Sequence, residues 1–375
     1  MLHLTPSGLT SMLTPPPSED VGREALLRIV RSASRDLPFQ SPDDHEWPRL
    51  PSDAEAHHLA PLLEWLTRDA ESSVPRAVRA QLRALTLRQT AWHRARTAAA
   101  TEVLDALERR SIRTLVLKGA ALAWTIYPSP ALRPMTDIDL LVDRTEAAKA
   151  QTVIGQLGFS AAPRRPFGGY AHHLPSARRV DGGLPITVEI HVDALTLDSG
   201  QSIAPANLVE PPRRFLLDAA PRMTLGHIDT LRHLVHHMLQ PSPEGFVRLI
   251  SLVDLLRYAR AFHTEIDWPR VEAEFPFVLN ALGCVHAIVP LTAELARYAA
   301  PDSWRPVDAG QTMRPLRWIA RDASALAIVR ELFVAPGWWM HAYYNIQPGR
   351  SLRFARVVRH PARMIRWLGL RVVGF

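Results

Sequence analysis

Leu115-Val116-Leu117-Lys118-Gly119-Ala120-Ala121-Leu122, followed by Arg133-Pro134-Met135-Thr136-Asp137-Ile138-Asp139-Leu140-Leu141-Val142, decides how this chain is read. The apolar residues around Ile138 predict a strand over Asp137–Val142, and side chains alternate along a strand. Asp137 and Asp139 therefore point to the same side. Close carboxylates repel each other strongly unless a cation lies between them. The pattern asks for a divalent metal, and hard oxygen ligands suit Mg²⁺ or Mn²⁺ rather than zinc.

Outward from this motif the punctuation is regular. Ile112–Leu117 reads as a strand ending at Gly119, and Ala120–Tyr127 as a helix stopped by Pro128 and Pro130. Thr145–Leu157 reads as a helix closed by a glycine cap at Gly158. A loop with Gly168-Gly169 and His172-His173 and a turn at Gly182-Gly183 lead to a third strand, Ile186–Val192. Alternation there puts Thr187, Glu189, His191 and Asp193 on one face. Ile186, Val188, Ile190 and Val192 take the other, which packs on the core.

Upstream, Leu59–Leu66 and the arginine-studded Val78–Leu107 have helical spacing. Residues 1–45 are rich in Pro, Ser and Asp. One short helix is expected around Gly22–Ala33, and the first twenty residues are expected to be disordered. From about Met223 onward the pattern is helical. Leu231, Leu234, Val235, Met238 and Leu239 form an apolar stripe. Val247–Ala261 is apolar nearly all round, and Asp267 is the expected N-cap of a helix opening at Trp268-Pro269.

Composition narrows the class. The chain has 375 residues, 47% of them hydrophobic, enough for two or three domains with buried cores. The single cysteine, Cys284, excludes a disulfide framework and a zinc cluster and reads as a small core residue. Met1–Leu13 lacks the basic residues and the long apolar run of a signal peptide, so a cytoplasmic location is expected. Phe275–Ala293 carries no charge, but Asn280, His286 and two prolines make it a buried helix rather than a membrane span. The net charge is +7. It comes almost wholly from arginine, a bias that a GC-rich bacterial genome produces, so it is no signature of nucleic acid. The lysine at 118 stands out against that bias: beside a glycine turn, a compact ammonium suits a phosphate.

Strand, Lys-Gly, helix, then Arg-x3-Asp-x-Asp on a strand, then an acidic residue on a later strand, resembles the polymerase β-type nucleotidyltransferase superfamily. More closely it resembles the bacterial uncharacterised nucleotidyltransferase family. The residues carrying that likeness are Leu117-Lys118-Gly119, Tyr127, Arg133 through Val142, Leu157-Gly158-Phe159 and Glu189-Ile190-His191. The resemblance implies that Asp137, Asp139 and Glu189 hold Mg²⁺ or Mn²⁺ and are catalytic. It also implies that Lys118, Gly119, Arg133 and Thr136 meet an NTP, whose monophosphate moves to an acceptor hydroxyl by two-metal in-line displacement. The superfamily's usual Gly-Ser turn is replaced by Gly119-Ala120, so no hydroxyl reaches phosphate there. His191 and His173 are candidate substrate contacts; His191 can instead orient a carboxylate, and Asp193 competes with Glu189 as third acid.

The expected architecture is α+β: a small mixed β-sheet nucleotidyltransferase core at 111–200, helices at 46–110, and a helical C-terminal domain over 220–375 closing the cleft. Natural-product peptides, proteins, polysaccharide precursors and small metabolites all stay open as acceptors. Rival readings are a tRNA- or RNA-directed transferase, a metal-dependent glycosyltransferase and a non-catalytic nucleotide-binding module. His233 and His237 have zinc-ligand spacing but no Cys or Glu beside them, so His233, His236 and His237 read as a polar face, solvated or lining the cleft. The arginines between Arg350 and Arg371, with Phe354, Val357 and Ile365 among them, fit an anionic membrane surface, an RNA backbone or the chain's own domain.

Overall fold

The computed structural model describes residues 17–35, 37–68, 74–161, 172–195, 202–239, 248–299 and 350–365, with isolated positions 333, 340, 344 and 346. Of the twenty N-terminal residues expected to lack structure, 1–16 lie outside the described residues and 17–20 are helical. The Gly168-Gly169 loop, the Cys284 side chain and the arginine tail past Ile365 also lie outside them.

In chain order the elements begin with helices α1 (Pro17–Arg35), α2 (Leu50–Ala56), α3 (Ala60–Leu66) and α4 (Arg76–Arg109). Strand β1 (Thr114–Val116), helix α5 (Lys118–Thr125), strand β2 (Ile138–Val142) and helix α6 (Ala147–Gln156) follow. Then come β3 (Ser160–Ala161), β4 (Ala177–Asp181), β5 (Leu184–His191) and the pair β6 (Arg213–Leu217) and β7 (Ala220–Thr224). Helices α7 (His227–Leu239), α8 (Leu249–Ala261), α9 (Trp268–Glu274), α10 (Pro276–Ile288) and α11 (Ala293–Ala296) complete the series before a short π-helical turn at Ala355–Arg359.

The chain divides into two compact units, His58–Leu234 and the remainder. The first holds a five-stranded mixed sheet in the order β1-β2-β5-β4-β3, in which β2 and β5 run parallel. The other pairings are antiparallel. One face carries the core: Ile138, Leu140 and Val142 of β2, with Ile186, Val188 and Ile190 of β5, pack with Ala99, Val103 and Leu107 of α4 and Val153 and Ile154 of α6. This is the apolar side that alternation predicts. On the opposite face Leu115, Leu117 and Leu141 form a smaller cluster with Leu195, Ile203 and Leu225. The 34-residue α4 can run its whole length because its buried stripe is mostly Ala, Val and Leu. Gly158 closes the turn after α6 at φ +86°, a conformation that an L side chain resists.

Two features of this unit escape sequence reading. The β6–β7 hairpin turns through Asp218 and Ala219, both at positive φ, where Asn-Gly is the usual signal. Asp193, the competing acid, is structural. Its Oδ1 accepts the Leu195 and Ile203 amides at 2.9 and 2.8 Å, and its Oδ2 the Ser202 hydroxyl at 2.5 Å.

In the second unit α1 packs on α8. Arg257 of α8 donates to the Ala33 carbonyl, and the His57 carbonyl accepts the Ile250 amide at 3.3 Å. Asp267 caps α9, accepting from the Arg270 amide at 3.1 Å. Phe277, Val278, Ala281 and Leu282 of α10 are buried, and among the described residues no helix is long and apolar enough to cross a membrane. The C-terminal segment exposes Phe354, Val357 and Ile365, while Ala355 and Met364 are buried.

Two expectations follow for stability. Asp193→Ala should cost about 3 kcal/mol in urea unfolding, because two buried amides lose their acceptor, and Asp193→Asn about half as much; an Ala variant as stable as wild type contradicts the assignment. His93 on α4 is buried, and burial followed by the charge of Arg96 lowers its pKa from 6.5 to about 4. The unfolded chain then binds the extra proton between those values, so this contribution to stability is lost as pH falls from about 6.5 through about 4. Unfolding free energies of His93→Gln should accordingly fall less steeply over that window than those of wild type.

Candidate functional site

The register of the parallel pair builds the site. Asp139 of β2 stands opposite Glu189 of β5, and Leu141 opposite His191. Asp139, Glu189 and His191 therefore share the face away from the main core, and one donor atom from each lies within 4.8 Å of the others. Asp139 Oδ1 accepts from His191 Nε2 at 2.8 Å and from Lys118 Nζ at 3.1 Å. The same His191 nitrogen is 3.6 Å from Glu189 Oε2. Ser176 of the preceding loop donates to Glu189 Oε1 at 2.6 Å. Asp139 and His191 are almost wholly buried, with side chains 3% and 2% exposed.

The electrostatics follow from that crowding. Burial opposes the charge on Asp139, but Lys118 and His191 overcome it and hold the carboxyl well below its usual range. Burial would likewise raise Glu189, yet hydrogen bonds from His191 and Ser176 bring it down to about 2. His191 answers in kind: burial lowers its pKa, and bonds to the two carboxylates raise it above the ordinary value, favouring the imidazolium. Asp137 moves the other way, up to about 6, driven by burial and then by Asp139 and Glu189, against Lys118. One acid pushed up beside two held down marks a face with more carboxylate than it can comfortably ionise.

Each residue named from the sequence has a definite place. Asp137 sits half-buried at the entry to β2 and accepts from the Thr136 hydroxyl at 3.1 Å; Thr136 itself is exposed. Lys118 opens α5 at φ +41°, a left-handed conformation that costs a non-glycine residue strain. A Cβ added at Gly119 would lie 2.8 Å from Arg133 Nη1 and 3.1 Å from Met135 Cγ, so both side chains would have to give way. The glycine thus makes room for the Arg133 guanidinium, which donates to the Pro134 carbonyl at 2.6 Å. His173 pairs with His191 across a β-bridge, and its Nδ1 donates to the Leu174 carbonyl at 2.6 Å. Its ring lies 5.3 Å from that of His191. His172 joins this group with its pKa pushed down to about 3 by burial and then by His173, so it is neutral.

The structure differs from the sequence reading in three ways. The trio with metal-holding spacing contains His191 in place of Asp137. His191 donates to Asp139 Oδ1 at 2.8 Å, the carboxylate-orienting alternative left open by the sequence. His233 and His236, read as a polar face, are buried, because α7 is covered on more sides than its leucine stripe suggests. Ser176 carries no sequence signal. The carboxylate oxygens of Asp139 and Glu189 suit a hard divalent ion, and an imidazole nitrogen is also an acceptable ligand for Mn²⁺, so the donor set fits.

Lys118→Met removes one of the two cations on a buried carboxylate and should destabilise the protein by about 3 kcal/mol without divalent ions. Added Mn²⁺ should then raise its Tm more than that of wild type, as read by calorimetric melting. Equal Mn²⁺ shifts in both proteins contradict a cation site at Asp139.

A family model described as an uncharacterised nucleotidyltransferase matches residues 43–295, more than half of the chain. No curated protein and no solved structure matches it. The matched span includes the sheet, the Lys118-Gly119 turn and all three acids. With the mixed sheet and the Lys118-Gly119 turn both inside the matched span, the chain belongs to the uncharacterised nucleotidyltransferase family.

Proposed function

We propose that this protein is a metal-dependent nucleotidyltransferase that moves a nucleoside monophosphate from an NTP to a hydroxyl-bearing acceptor, whether peptide, protein or small molecule. The observation that carries the reading is the convergence of Asp139, Glu189 and His191 donor atoms within 4.8 Å, with Asp137 two residues from Asp139. Asp139 and Glu189, with Asp137 completing the set at the entry to β2, would hold Mg²⁺ or Mn²⁺. Such ions, when bound, neutralise a triphosphate and lower the pKa of an attacking hydroxyl.

The chain's own residues do the rest. Lys118 and Arg133 flank the Gly119 turn and supply positive charge for the polyphosphate, and the first amides of α5 add donors to an anion. His191 is too buried to touch an acceptor. It serves as a positioning residue that fixes the Asp139 and Glu189 carboxylates. Half-buried His173, beside it, is the group on the acceptor side. The acceptor hydroxyl gives up its proton to solvent, its oxygen bonds to the α-phosphorus, the bond from that phosphorus to the α–β bridging oxygen breaks, and pyrophosphate leaves.

Calorimetric titration with each NTP and Mg²⁺ tests the proposal. At least one NTP should bind wild type only when the divalent ion is present. Asp137→Asn combined with Asp139→Asn should weaken that binding on the order of a hundredfold. A double variant that binds the nucleotide as tightly as wild type refutes the assignment.

A further inference from the structure

The helix near the C-terminal end turns its apolar stripe to the outside. Residues 353–365 form a helical run, with a π turn at Ala355–Arg359 just ahead of Pro361, whose missing N–H interrupts the α-helical ladder. Phe354, Val357, Val358, Pro361 and Ile365 recur at i, i+3, i+4, i+7 and i+11, the spacing of a stripe that ordinarily meets a core. Here Phe354, Val357, Val358 and Ile365 are 49–73% exposed. Among the described residues they are four of the eight large hydrophobics that stand out of the fold, gathered within one short segment. Apolar residues exposed singly need no explanation, whereas a contiguous exposed stripe marks a contact surface.

Other positions of the same run anchor it. Ala355 packs with Met340 and Tyr344, and Met364 is buried. His360 Nδ1 lies 2.9 Å from the Tyr344 hydroxyl, and the Arg359 guanidinium lies over the Tyr344 ring, 4.9 Å from its centroid. The segment is thus held to its neighbours with the stripe left uncovered.

Charge decides what covers the stripe. No Asp or Glu follows Glu331. The seven arginines from Arg350 to Arg371 equal the net charge of the whole chain, +7, so the rest of the chain carries as many acids as bases. Arg353, Arg356 and Arg359 of the helical run are exposed beside the stripe. A second copy of the chain would bring two acid-free arginine clusters together, and like charges repel. An RNA backbone would pair with the arginines but leave Phe354, Val357, Val358 and Ile365 in water. An anionic bilayer meets both needs: the stripe enters the boundary between headgroups and acyl chains, and the arginines reach the lipid phosphates and carboxylates.

We propose that residues 353–365 are a peripheral docking element for a membrane surface rich in anionic phospholipid, with Phe354, Val357, Val358 and Ile365 laid into the interface. The docking element stands apart from the Asp139 face and does not depend on the nucleotidyltransferase reading.

Co-sedimentation of the full chain with lipid vesicles tests the proposal. Wild type should bind vesicles of equal parts phosphatidylcholine and phosphatidylserine at least about tenfold more tightly than pure phosphatidylcholine, and lose affinity as salt rises. Phe354→Ser combined with Val357→Ser should weaken binding to the mixed vesicles about 10- to 100-fold. Arg353→Gln combined with Arg356→Gln should weaken it about 10- to 30-fold and flatten the salt dependence. All four positions are exposed, so both double variants should melt at the wild-type temperature.

Wild type that fails to sediment with the mixed vesicles overturns the inference, as does equal binding by all three proteins. A marked loss of Tm in Phe354→Ser with Val357→Ser shows that the stripe packs on the protein itself and also overturns it. So does a dimer, seen by sedimentation equilibrium without lipid, that the same pair disperses. Single-stranded RNA is the last arm: if it binds through Arg353 and Arg356 while the mixed vesicles bind no better than pure phosphatidylcholine, RNA is the partner and the membrane inference falls.

Discussion

Asp139 is the constraint around which this face of the sheet is organised. Its carboxylate is buried on a strand covered on both sides, where an uncompensated charge would cost several kcal/mol. The parallel register places a second acid, Glu189, directly opposite, and the Asp-x-Asp spacing adds a third two residues away. Lys118 and His191 both donate to the same oxygen of Asp139, and that is how the burial is sustained. The strained φ of Lys118 belongs to the same arrangement, since the turn delivers its ammonium to Asp139.

This organisation suits a protein that must gather a polyanion and divalent ions in one place. A face with carboxylates alone would repel a triphosphate, and one with cations alone would repel a metal. Here the two signs are interleaved on three elements, β2, β5 and the start of α5. Membership of the nucleotidyltransferase family is consistent with that pairing of charges. The same interleaving explains why Asp137 and Asp139 respond in opposite directions to one environment: Lys118 donates directly to Asp139, whereas Asp137, at the rim, is dominated by burial and by its acidic neighbours.

Much of this was legible in the sequence because it is local. The period-two pattern from Ile186 to Val192 fixes which side of β5 meets the core and leaves Glu189 and His191 together on the other. Gly158 and Asp267 announce the ends of helices through well-understood backbone needs. What could not be read depends on partners distant in the chain. The bond from His191 to Asp139 spans 52 positions, and only the β2–β5 register creates it. Arg96 lies on a helix whose many arginines look alike until packing buries one of them. The β6–β7 hairpin was hidden by an Asp-Ala turn in place of a glycine turn, and the burial of His233 and His236 by tertiary contacts that no periodicity encodes.

The central claim is that the face bearing Asp139 and Glu189 is built to take a divalent cation. The most direct measurement is a crystal structure of the full chain grown with Mn²⁺, with the ion located by its anomalous scattering. The account expects a peak between the Asp139 and Glu189 carboxylates, with the Lys118 ammonium withdrawn from Asp139. A peak elsewhere, or none at saturating Mn²⁺ with Lys118 still bonded to Asp139, would contradict it.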